Sequence, residues 1–167
     1  MRIIVTSQRD AIGQRGELIA RFALTQFHDG EPIFKHAFLG EKWEAADLFV
    51  ETVASPKGCR DFFFVQVRTT SDLPDSNGRV SLTVKREELG ALAAYPAPRY
   101  LLIVTERDGR VYIRPVETEG PGLSQVRCEH ALTVSNCLAL RDDVRRYWSE
   151  HPPRSWTSMF SAAPRAQ

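Results

Sequence analysis

The sequence predicts one α/β or α+β domain, built as a mixed sheet flanked by helices. Three observations carry this. A helix-period stretch opens the chain. Two strand-like runs, Glu44–Val53 and Asp61–Thr70, are separated by the turn signal Ser55-Pro56-Lys57-Gly58. A continuous apolar run, Tyr100–Thr105, has the character of a strand covered on both faces.

In chain order, residues 1–10 read as a short strand or a lead-in, with Asp10 as a helix cap. A helix follows from about Ile12 to Phe27. Leu18, Ile19, Phe22, Ala23 and Phe27 recur at helical spacing and predict its buried face. His28-Asp29-Gly30-Glu31-Pro32 ends it, and Ile33–Phe38 reads as a strand. Gly40-Glu41-Lys42-Trp43 turns the chain into the first of the two paired runs, and the Pro56-Lys57-Gly58 turn makes them an antiparallel hairpin. Ser71–Gly78 is a loop, Arg79–Val84 an alternating strand, and Lys85–Tyr95 a short helix stopped by Pro96 and Pro98. Arg107-Asp108-Gly109 returns the buried strand as Arg110–Val116. Val126–Val134 is a weak strand, and Leu138–Glu150 a helix with a Leu140, Val144, Tyr147, Trp148 stripe. Residues 1–150 thus form one domain, and the proline-containing segment 151–167 a loose tail.

The chain has 167 residues and a formal net charge of +1, so bulk charge points to no partner, and a nucleic-acid binder would need a local basic patch. No apolar run approaches the roughly 20 residues that cross a bilayer, and the first apolar run is too short for a signal peptide. Cys59, Cys128 and Cys137 are odd in number and lack C-x-x-C spacing, which fits a reducing cytoplasm. There is no P-loop, G-x-S-x-G or H-E-x-x-H. His28, His36, His130 and His151 lack metal-ligand spacing, and Cys128-Glu-His130 is better explained as a short strand with alternating faces.

One constellation remains. Asp47 opens the first paired run, and Gln66 and Arg68, two apart on the second, share a face. Pairing of the runs brings these three together. An aspartate, the Gln66 amide oxygen and the Val67 main-chain carbonyl are hard oxygen donors suited to magnesium, which is usually held by one or two carboxylates plus waters and phosphate. Glu17 could join through water, and a cation at position 68 could hold a phosphate. Two plainer readings stay open: Glu17 as a first-turn partner of the helix dipole, and the others as a solvated sheet face.

Gly13, Gly16 and Glu17 on a first helix, then Asp47, then Val65-Gln-Val-Arg-Thr-Thr70, resemble in order and spacing the PD-(D/E)xK nuclease superfamily. They are most similar to an uncharacterised bacterial family within it, whose signature is G-E, then D, then Q-V-K-[S/T]-T. The resemblance covers roughly Gly13 to Val116. It implies a restriction-endonuclease-like α-β-β-β-α-β core and catalytic positions at Glu17, Asp47, Gln66 and Arg68. It implies Mg2+, with Mn2+ as a substitute, held by Asp47, Gln66, the Val67 carbonyl and Glu17. The implied substrate is nucleic acid, DNA more than RNA. Two positions depart from the superfamily pattern. Arg68 stands where lysine is usual and cannot act as a base near neutral pH. Gln66 removes a negative charge from the metal site. Lys85 is the candidate for a displaced lysine. A magnesium-dependent nuclease, a non-cutting binder of nucleic acid or protein, and an interaction module of a defence or toxin system all remain open, as does a homodimer.

Overall fold

The computed structural model describes residues 8–40, 43, 45–53, 61–117 and 120–152. Helix α1 (Gln8–Leu24) leads into a two-stranded ribbon, β1 (Phe27–His28) and β2 (Glu31–Pro32), around a turn with Asp29 and Gly30 at positive φ. Next come β3 (Phe34–Phe38), β4 (Leu48–Thr52), β5 (Phe62–Thr70) and β6 (Arg79–Val84). Helix α2 (Arg86–Ala93) crosses over to β7 (Arg99–Thr105), followed by β8 (Arg110–Pro115), β9 (Leu123–Arg127) and helix α3 (Val134–Glu150).

The central sheet has five strands in the order β3-β4-β5-β7-β8. It is mixed: β3 and β4 pair antiparallel, as do β4 and β5, while β5 and β7 run parallel and β8 returns antiparallel. The α+β class expected from the sequence is the class observed. The two paired runs are adjacent and antiparallel, in the register Leu48 with Val65 through Glu51 with Phe62. The expected turn at Ser55–Gly58 lies outside the described residues, as do residues 1–7 and 153–167.

The sheet divides the core into two layers. On one face Phe63, Val65, Val67, Leu102 and Val104 pack against Ala20 and Leu24 of α1 and Cys137, Leu140 and Val144 of α3. Burial pushes the Cys137 thiol up to about 12, so it behaves as a small apolar residue. On the other face Phe64, Leu101 and Ile103 meet Leu89 and Leu92 of α2 and Val80, Val84 and Val126 of the separate β6–β9 ribbon.

Four expectations are corrected. The buried face of α1 is Gly16, Ala20 and Leu24, while Leu18, Phe22 and Phe27 are 61%, 82% and 61% exposed. The helical period is as read but its phase is shifted, because α1 lies so close to β5 that only small residues fit. A Cβ on Gly16 would sit 2.7 Å from the Thr69 Cβ. Asp10 lies inside the first turn of α1, where it suits the dipole. The weak strand expected over Val126–Val134 is β9, shifted to Leu123–Arg127, and α3 starts earlier, with the Thr133 hydroxyl accepting from the Asn136 N–H at 3.3 Å. Among the described residues no helix is long and apolar enough to cross a membrane.

Candidate active site

The sheet pleat puts Gln66 and Arg68 on the β5 face opposite Val65 and Val67. Strand β4 stops short of Asp47, and the side chain takes over the ladder: the Asp47 N–H donates to the Val65 carbonyl at 2.8 Å, while the Val67 N–H donates to Asp47 Oδ2 at 2.6 Å. Continuing the Leu48–Val65 register by one residue sets Asp47 opposite Gln66. Asp47 is therefore held by β5 twice, through its own N–H and through one carboxylate oxygen. Burial raises its pKa above the ordinary carboxylate value, against the opposing pull of the Val67 N–H and the Arg68 guanidinium.

Asp47 faces a cleft of about 550 Å³ that also receives Ile12, Gly13 and Glu17 from α1, Val67 to Thr70 from β5, Ser81 to Thr83 from β6, and Lys85 and Glu88 from the start of α2. Gly16 explains how Glu17 reaches it, since only glycine allows α1 to seat against Thr69. Gly13 has no atom within 4 Å of its missing Cβ and leaves that wall of the cleft open. Glu17, Asp47 and Arg68 thus share one cleft, although they come from α1, the approach to β4 and β5.

Gln66, expected at the same site, is not among the cleft-lining residues: it is 4% exposed, and its amide oxygen is buried without a hydrogen-bond partner. A buried acceptor without a partner costs about 1–3 kcal/mol. It is also a neutral hard oxygen of the kind a magnesium ion takes. Arg68 is engaged twice: Nη1 donates to the Val67 carbonyl at 3.1 Å, and Nη2 pairs with Glu88 Oε2 at 3.1 Å. The Val67 oxygen, expected as a metal ligand, thus carries a cation of the chain's own. Glu88 Oε2 also accepts from the Lys85 N–H at 3.1 Å. Burial alone would raise the Glu88 pKa, but that N–H and the guanidinium hold it below the ordinary value.

Glu88 was missed in the sequence. Its signal was local: it is the third helical residue after a strand end, where a carboxylate caps the preceding N–H. That it reaches Arg68 is a tertiary fact made by the crossover. Lys85, named in the sequence only as a displaced lysine, does line the cleft. Cys128 and His130 are not among the cleft residues, and Cys59 lies outside the described residues.

Among the described residues no three His, Cys, Asp or Glu side chains stand close enough to hold a metal by themselves. Asp47 and Glu17 bring two carboxylates to the cleft wall, and the Gln66 amide oxygen is a further hard oxygen, buried and outside the lining. One or two carboxylates completed by neutral oxygens and water suit magnesium, so the residues present fit that ion. The ionisable lining groups are Glu17, Asp47 and Glu88 against Arg68 and Lys85, a formal charge of −1.

No family model matches the chain, and no curated protein matches it in sequence.

Proposed function

We propose that this chain is a nuclease-like protein of the PD-(D/E)xK type. Its cleft binds a nucleic-acid backbone, DNA more than RNA, together with one magnesium ion, and hydrolyses the phosphodiester slowly. The observation that carries this reading is the convergence of Glu17, Asp47 and Arg68 on one polar cleft, with the buried, partnerless amide oxygen of Gln66 two residues before Arg68 on β5. Apart from the β1–β2 ribbon and the separate strand β6, the order helix, three antiparallel strands, helix, parallel strand supports it further.

Asp47 and Gln66 would hold the ion, and Glu17 would reach it through water. When bound, the ion supplies Lewis-acid stabilisation of charge on the phosphoryl oxygens. Asp47 is kept in place by the Val67 N–H, so its free oxygen needs no reorientation. Lys85 supplies a cation at the cleft wall that can balance charge on the phosphate. Arg68 is tied to Glu88 and contributes less than a free cation would, so the hydrolysis expected of this cleft is slow. The protein acts in a reducing cytoplasm, where Cys128 and Cys137 stay free thiols.

The test is cleavage of labelled DNA in magnesium. Asp47→Ala should lower the wild-type rate by about a hundredfold or more, the scale of losing a group that stabilises transition-state charge. Arg68→Lys should keep or raise it. Cleavage that survives Asp47→Ala unchanged would overturn the reading. A second reading, a binder that does not cut, is favoured by the Arg68–Glu88 pair, which occupies the lysine position with a neutralised charge. Binding of DNA without any turnover in either wild type or Arg68→Lys would select it.

A further inference from the structure

The Arg68 guanidinium is held from two sides, by the Val67 carbonyl and by Glu88, with side chains 26% and 33% exposed at the ion pair. Glu88 is itself fixed, because the same Oε2 accepts the Lys85 N–H that opens α2. The pair is neither buried beyond reach nor free in solvent. It lines the cleft that Asp47 and Glu17 share, at the edge that β6 and α2 supply. A guanidinium matches a phosphate as well as it matches a carboxylate, with the same forked donors. A phosphate in this cleft therefore competes with Glu88 for one and the same group.

On the premise of the phosphodiester-binding cleft above, we propose that Glu88 is a positioning residue: it latches Arg68 against the Val67 carbonyl, and the entering phosphodiester must displace Glu88 before it receives the charge of Arg68. Two consequences follow from the geometry. While the latch is closed, Arg68 adds little to binding. When it opens, Nη2 is released to the phosphate, while Nη1 can stay on the Val67 carbonyl. Glu88 thus sets how much of the Arg68 charge the nucleic-acid backbone receives.

The experiment measures binding of a fluorescein-labelled DNA duplex by anisotropy across a salt series, in Ca2+, another hard oxygen-seeking cation. Wild type, Glu88→Gln, Arg68→Ala and the double variant are compared. The amide introduced by Glu88→Gln keeps an oxygen for the Lys85 N–H but not the charge that holds Arg68. Glu88→Gln should bind about tenfold tighter, the worth of a charge-assisted bond. Its log–log salt slope should steepen by about one unit, the signature of one added phosphate contact. Arg68→Ala should cancel that gain in the double variant and weaken wild type only slightly. A purely structural role for Glu88 would shift the melting temperature and leave the salt slope alone. A gain that persists in the double variant overturns the latch, since it then reflects net charge only. Wild type that binds DNA but is unmoved by Glu88→Gln overturns the latch and leaves the cleft reading standing. Absence of DNA binding in all four overturns both. If Glu88→Gln proves unfolded by circular dichroism, Arg68→Ala decides alone: a slight loss of affinity supports the latch, and a large loss with a shallower slope in an otherwise native chain means Arg68 was never latched.

Discussion

The two halves of β5 share one backbone and meet opposite environments. From Phe62 to Val65 every group is used. Phe63 and Val65 are fully buried, the Phe62 and Phe64 rings contact those of Phe49, Trp148 and Tyr95, and the Phe62 carbonyl accepts from the Trp148 indole at 2.8 Å. From Gln66 to Thr70 the same strand carries a buried amide oxygen without a partner, a cation folded back on its own backbone and a threonine wedged against a glycine. The first half is what a stable sheet needs. The second tolerates polar groups that a stable sheet would not select, and this contrast is the physical argument for a site there.

Substitutions sharpen the contrast. The largest expected effect is Phe63→Ala in the satisfied half, which removes a fully buried ring and should cost about 3–5 kcal/mol in denaturant unfolding. Gly16→Ala comes next. The added methyl meets Thr69 and forces α1 away from β5, so a loss of about 1–3 kcal/mol is expected. Gly13→Ala, three residues earlier on the same helix, meets open space and should instead gain about 1 kcal/mol from helix propensity. Equal effects at the two glycines would break the account of how Glu17 is delivered. In the unsatisfied half, Gln66→Leu should raise stability by about 1 kcal/mol, because it removes a buried acceptor that has no partner. A loss on the scale of Phe63→Ala would show that Gln66 is structural.

The smallest effect is a pH dependence. Asp47 has its folded pKa raised above the ordinary 3.8, chiefly by burial. Between the unfolded and folded values the native state holds the extra proton, so stability falls as pH rises through that window and levels off above it. Asp47→Asn keeps an oxygen for the Val67 N–H and removes the charge. Without metal it should be more stable than wild type at neutral pH, with the difference vanishing below the ordinary carboxylate value. Thermal melts across pH check the sign.

Much of the fold was legible because its runs are long and strongly patterned. The Asp61–Thr70 and Tyr100–Thr105 runs fall within one residue of β5 and β7, and their pattern depends on burial rather than on partners. The phase of α1 was not legible. Leu18 and Phe22 form a more hydrophobic stripe than Gly16 and Ala20, and only the closeness of Thr69 selects the smaller one. At the site, the shared cleft of Glu17, Asp47 and Arg68 follows from motif order and strand pairing. The Glu88 contact does not, because residues 68 and 88 meet only through the β6–α2 crossover.

The central claim is that Asp47 and Gln66 together hold a hard cation. It is tested most directly by manganese anomalous diffraction from crystals of wild type and Gln66→Leu. The account predicts one peak in the wild-type cleft, about 2.0–2.2 Å from an Asp47 carboxylate oxygen and the Gln66 amide oxygen, and no peak in Gln66→Leu. A wild-type cleft without a peak at saturating manganese, or a peak that survives Gln66→Leu unchanged, would contradict it.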